Sequence, residues 1–122
     1  MNHWYKPILP SVLAFWSMLT MAGEVEIVKA TAAKATGGWR FDVTLKHADT
    51  GWQHYANKWE VVSVNGKVLG TRVLYHPHVD EQPFTRSLSG VNIPPGTKEV
   101  LIRAYDLKHG RVVKAYKLVL PK

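Results

Sequence analysis

The sequence predicts an all-β fold, a seven-stranded antiparallel sandwich behind an export signal, and three observations predict it. Apolar residues recur with period two along most of residues 24–120, which is the pattern of strands with one buried and one solvated face. Glycine, proline and Asn-Gly punctuation arrives roughly every ten residues, the turn spacing of a sandwich or barrel. The chain left after the signal is long enough to bury one apolar core.

Residues 1–6 are polar with one lysine, and residues 7–22 are apolar apart from Ser11, Ser17 and Thr20. Thr20-Met21-Ala22 offers small residues at the two positions a signal peptidase reads, and the charged stretch GEVEIVK follows at once. This is the three-part plan of a secretory signal, cleaved after Ala22. The apolar run is shorter than the ~20 residues that span a bilayer and contains Pro10. The expected organisation is a signal peptide over 1–22 and one domain over 23–122, periplasmic or secreted, meeting a membrane only during export.

Removing the signal removes every sulfur, because Met1, Met18 and Met21 are the only methionines and there is no cysteine. The mature chain can form no disulfide and offers no soft ligand. Fifteen basic and nine acidic residues follow Ala22, a net charge of +6. Export makes anionic envelope material, and not nucleic acid, the expected electrostatic partner. The basic residues also stand singly at alternating positions, as on solvated strand faces.

The first strand is predicted over 24–32, with Val25 and Ile27 on one face. Gly37-Gly38 turns into the second, where Trp39, Phe41, Val43 and Leu45 alternate with Arg40, Asp42, Thr44 and Lys46. The polar stretch ADTGWQHYAN leads to the third strand, KWEVVSV, with Trp59 and Val61 inward. Asn65-Gly66 predicts a type I′ hairpin turn into the fourth, over 67–75, with Leu69, Val73 and Tyr75 in the core-facing phase. HPHVDEQP connects to the fifth strand over 84–89, and VNIPPGT turns to the sixth, KEVLIRAYD, with Val100, Ile102 and Ala104 inward. LKHG returns to the seventh, over 111–120.

One tryptophan early in the third of seven strands is an immunoglobulin-like feature. The stretch NIPPGTKEVLIRAYDLKHG resembles the end of a fibronectin type III or immunoglobulin-like domain, in which a Pro-Gly turn leads to an alternating strand and an Ala-aromatic-Asp-x-x-x-Gly corner. It departs from that pattern at Lys98 and Glu99, where a tyrosine would stand. HADTGWQHYANKWEVV, GTRVLYHPHVDEQPFTRSLSGV and IRAYDLKHG resemble a family of small exported bacterial proteins, over about Trp39 to Gly110. That resemblance implies export and a single small domain, and it implies no activity.

Strand parity places the candidate site. With antiparallel neighbours, the second-to-third, fourth-to-fifth and sixth-to-seventh connections share one end of the sandwich. His47, His54, His76, His78 and His109 all lie in or beside those three connections, whereas AKATGG, NG and VNIPPGT at the other end hold no histidine. Several imidazoles should therefore converge, with Asp49, Asp80, Glu81, Trp52 and Tyr55. Neutral imidazole is a common ligand of zinc and copper(II), and the proline of His76-Pro77-His78 restricts the backbone between two rings. The expected metal ligands are His54, His76, His78 and His109. Asp80 or Glu81 would complete the first shell or accept a ring N–H. His47 continues the inward phase of its strand and is expected to be structural. A metal-free polar network holding the three loops together is the competing account.

Arg86 shares the Phe84 and Leu88 phase and is expected to pair with Asp80 or Glu81. Trp52 and Tyr55 either face solvent, suited to a protein partner or an anionic polymer, or cap the open end of the core. Ser63, Ser87 and Ser89 sit in predicted strands with no nucleophile elbow, and there is no phosphate loop or cysteine nucleophile, so no enzyme is expected.

Overall fold

The computed structural model describes residues 24–111 and 114–122. The predicted signal peptide, 1–22, lies outside the described residues. The strands are β1 (Glu26–Ala35), β2 (Gly38–Lys46), β3 (Ala56–Val62), β4 (Val68–Val73), β5 (Phe84–Val91), β6 (Glu99–Asp106), β7 (Gly110–Arg111) and β8 (Tyr116–Val119), with no helix among the described residues. They form two antiparallel sheets. One runs β1-β2-β5, and the other runs β4-β3-β6 with β7 and β8 both paired to β6.

Because β3 pairs with β6 from Leu101 to Asp106, β7 and β8 must share the opposite edge of β6. There β8 pairs with its beginning and β7 with its end. Together they occupy the place of the one continuous strand predicted over 111–120. The all-β, two-sheet expectation holds, with that seventh strand split.

The alternation in β2 and β6 translates directly into burial. Phe41, Val43 and Leu45 from one sheet and Val100, Ile102 and Ala104 from the other are wholly buried, and they meet Trp59 and Val61 of β3. Burying side chains of this size contributes about 1.5–3 kcal/mol each. Two packed faces therefore hold the domain together without any disulfide.

In β1, Val25 is buried and Ile27 packs against the core, as expected, and a bulge between Ile27 and Lys29 lets Ala30 and Ala32 face the core beyond it. Two local expectations are corrected. The β3–β4 turn is not type I′, which needs positive φ at both central residues. Only Gly66 has positive φ there, at 97°. Gly66 N–H donates to Ser63 O (2.9 Å) and Ser63 N–H to Lys67 O (2.8 Å), while Ser63 Oγ contacts Asn65 Oδ1. The result is a three-residue loop ending in a left-handed glycine.

Leu69 packs against the core as expected, but beyond it the phase of β4 is reversed. Val62 pairs with Val68 and Val61 with Gly70, so Leu69 is the extra residue of a bulge. Beyond it, Gly70 and Arg72 oppose Val61 and Trp59, and Leu74 is buried, whereas Val73 and Tyr75 face solvent. Arg72 Nη1 then donates to Ser87 O of β5 at 2.8 Å, tying the two sheets at that edge.

Candidate metal centre

Two strands carry their inward phase one polar residue past the apolar core. In β2 the series Phe41, Val43, Leu45 continues to His47, and in β6 the series Val100, Ile102, Ala104 continues to Asp106. Both polar side chains are almost wholly buried. The strands' ends place them on the same side of the core.

The β2–β3 loop supplies a third residue. A small bridged turn, with His54 N–H donating to Gly51 O (3.2 Å) and Thr50 N–H to His54 O (3.1 Å), folds the loop back on itself. Gly51 adopts φ 149°, which disfavours any side chain there. The turn leaves Trp52 at its exposed tip and returns His54 to the core end.

The three side chains focus on one oxygen. His47 Nε2 lies 3.4 Å and His54 Nε2 3.6 Å from Asp106 Oδ2, and the three ligand atoms all fall within 4.8 Å of one another. The two rings meet edge to face at 4.7 Å. His54 Nε2 is buried with no hydrogen-bond partner, and leaving such an atom unpaired costs about 1–3 kcal/mol. Two imidazole nitrogens and a carboxylate oxygen, buried or partly buried and close together, form a donor set that a borderline divalent cation would suit.

His109 stands beside the cluster, its Nδ1 2.9 Å from the same Asp106 Oδ2 and its ring 5.1 Å from that of His54. The other oxygen, Asp106 Oδ1, accepts the backbone N–H groups of Lys108 (2.9 Å) and His109. Burial works to raise the Asp106 pKa. It is outweighed by the backbone and ring N–H of His109 and the positive charge of His109 and His47, so the carboxyl is held below its ordinary value.

Asp49 supports the site from behind. Its side chain is fully buried; Oδ1 contacts His47 Nδ1 and accepts the Ala56 N–H (3.0 Å), and Oδ2 accepts the His78 N–H (2.7 Å). A carboxylate on Nδ1 fixes the orientation of the His47 ring, as carboxylates behind metal-binding histidines do. Gln82 adds a second link, accepting the His47 N–H through Oε1 (2.9 Å) and donating to His78 O (2.8 Å).

Of the four histidines expected as ligands, the fold brings His54 and His109 to this cluster and places His76 and His78 elsewhere. His76 is exposed. His78 is buried flat against Phe84, with ring centroids 4.0 Å apart and 9° between the planes, and neither ring nitrogen has a hydrogen-bond partner. Arg86 pairs with Glu81 at 3.0 Å, while Asp80 is exposed. Trp52 is 66% exposed and meets Tyr55 edge-on at 5.8 Å, so it does not cap the core. Asp106 was not among the expected ligands. Its signal in the sequence was its place in the inward phase of an otherwise apolar strand.

Burial foremost, then the charges of Arg86 and His76, holds the His78 pKa below 6.5, against the pull of Glu81 and Asp49. The unfolded chain therefore binds more protons below about pH 6.5. Stability is expected to fall as pH drops from there toward the folded-state value. His78→Phe keeps the stack on Phe84 and removes this linkage. Urea midpoints at about pH 7.5 and about pH 5 should show a smaller acid loss in the variant than in the wild type; an equal loss would refute the assignment.

No protein-family model matches the chain, and no solved structure matches it. A Halomicrobium mukohataei protein named "Putative lipoprotein" is 41% identical over 88 residues. The match spans 71% of this chain and 43% of that relative, so the chain accounts for less than half of the relative's length.

Proposed function

We propose that this chain is an exported cell-envelope binding module that holds a divalent transition metal, zinc or copper(II), through His47 Nε2, His54 Nε2 and Asp106 Oδ2, and that it is not an enzyme. The observation that carries this reading is the buried, unpartnered His54 Nε2, set with His47 Nε2 around one carboxylate oxygen. The donor set is borderline in character and suits these ions, and the absence of sulfur after Ala22 disfavours copper(I). The signal-like N-terminus and the relative's lipoprotein name support an envelope location. The strand order, with β4 beside β3 and not beside β5, fits the fibronectin type III-like form of the sandwich.

The test is calorimetric titration of the purified protein with zinc and with copper(II) at neutral pH, repeated on His54→Ala and on a His76→Ala/His78→Ala double variant. One-to-one binding is expected in the wild type and in the double variant, and none in His54→Ala. Loss in the double variant with retention in His54→Ala would move the site to the β4–β5 loop. No binding to any of the three would sink the metal reading.

The second reading is a metal-free adaptor for an envelope protein or an anionic cell-wall polymer. The exposure of Trp52, with Tyr55 packed on its edge, favours it, since aromatic anchors suit recognition. Retention of a partner in the presence of a chelator, and its loss in Trp52→Ala, would distinguish it.

A further inference from the structure

We propose that an ion at this centre keeps a coordination position that the chain does not fill, and that this position captures a small free anion. The proposal rests on the metal reading above and names the class of ligand that the bound ion would hold.

The set of donors carries it. His47, His54 and Asp106 each bring one ligand atom, all within 4.8 Å of one another, and no other histidine, aspartate or glutamate among the described residues joins them. The chain has no cysteine to add. The nearest further groups are engaged elsewhere. His109 Nδ1 is hydrogen-bonded to Asp106 Oδ2 at 2.9 Å, and the Asp49 carboxylate is taken up by His47 Nδ1, the Ala56 N–H and the His78 N–H. Three protein ligands on zinc leave a position for a ligand from outside the chain, unlike the closed four-ligand plan of structural sites.

Burial and charge select what enters. The side chain of His47 is fully buried, that of Asp106 is 1% exposed and that of His54 is 19% exposed, with its Nε2 inside. An ion among these atoms lies below the surface, which suits a small free anion better than a carboxylate fixed to another chain. Two neutral imidazoles and one carboxylate leave a divalent ion with net positive charge in its first shell, which favours an anion over a neutral ligand. The charge of Asp49 lies behind the His47 ring and is shared among its three partners. On the exposed side stand His109, its ring 5.1 Å from that of His54, and the exposed Lys108.

The experiment uses copper(II) as the ion and sodium azide as the anion, on the purified wild type and His54→Ala. Azide bound to copper(II) gives a charge-transfer band that neither gives alone. The wild type should bind one copper(II), the band should saturate at one azide per copper, and the copper should stay with the protein through gel filtration. Benzoate, a bulkier anion, should not displace the azide. His54→Ala should show neither bound copper nor the band. Copper(II) held one-to-one with no response to azide would overturn the proposal and mean that the chain fills or shuts off every position. An azide response with loss of copper from the protein would also overturn it, because azide would then be stripping the ion and not joining it. Displacement by benzoate would overturn the restriction to small anions and point to a carboxylate on a partner. Failure of the wild type to bind copper(II), or unchanged copper and azide binding in His54→Ala, would instead remove the metal reading itself.

Discussion

Asp49→Ala is expected to destabilise the domain by about 3–5 kcal/mol, the range for breaking a buried, hydrogen-bonded ionic group from one side. The side chain is wholly inside, and three donors converge on it: the His47 ring, the Ala56 N–H and the His78 N–H. Alanine fills none of these roles. Against a total stability of about 5–15 kcal/mol for a domain of this kind, the change would remove about a fifth or more. Asp49→Asn should cost less, because one amide oxygen can still accept, although its NH₂ then opposes a donor. Both variants release the His47 ring from its fixed orientation, so metal affinity should fall about 10–100-fold in whichever remains folded. Urea denaturation in a chelator followed by zinc titration measures the two effects separately. A loss of under about 1 kcal/mol in Asp49→Ala would show that these hydrogen bonds do not hold the loops to the core.

The contrast between Asp49 and the histidine pair His76 and His78 shows what the sequence could and could not reveal. The alternation in β2 and β6 is strict, so their buried faces were readable, and strand parity correctly gathered three connections at one end. What parity cannot give is which side chains in those connections turn inward. His76-Pro77-His78 stands out because two imidazoles are adjacent in sequence. In the fold one ring is exposed and the other lies flat on Phe84. The group that focuses the site, Asp106, is separated from His47 by 59 positions of chain and was visible only as a polar residue in the phase of Val100, Ile102 and Ala104. Reading that phase to its end in both strands would have paired His47 with Asp106. A bulge accounts for the misreading of β4: one extra residue, Leu69, inverts which side chains face the core beyond it, and period-two patterns carry no mark of where the extra residue falls.

The proposed function gives Asp106 two jobs on two oxygens, and a pair of substitutions should separate them. Asp106→Asn keeps an oxygen that can accept the Lys108 and His109 N–H groups, so the β6–β7 turn should survive, at a cost of about 1 kcal/mol. It puts a neutral amide where the ion needs a charged oxygen, and zinc binding should be lost. Asp106→Ala loses both functions. The turn's N–H groups and the ring N–H of His109 lose their acceptor, and His47 and His54 are left around an empty space. The expected cost is about 3 kcal/mol or more, together with the loss of metal. Thermal unfolding with and without zinc reads both effects. In the wild type, zinc at 1,000 times its dissociation constant should stabilise by about 4 kcal/mol, and neither variant should respond. A zinc-dependent rise in the melting temperature of Asp106→Asn would show that the two imidazoles suffice and that the carboxylate serves only the turn. If the Asn and Ala variants are equally unstable without metal, an amide oxygen does not replace the Oδ1 contacts to the turn, and the charge of the carboxylate itself supports the metal-free fold.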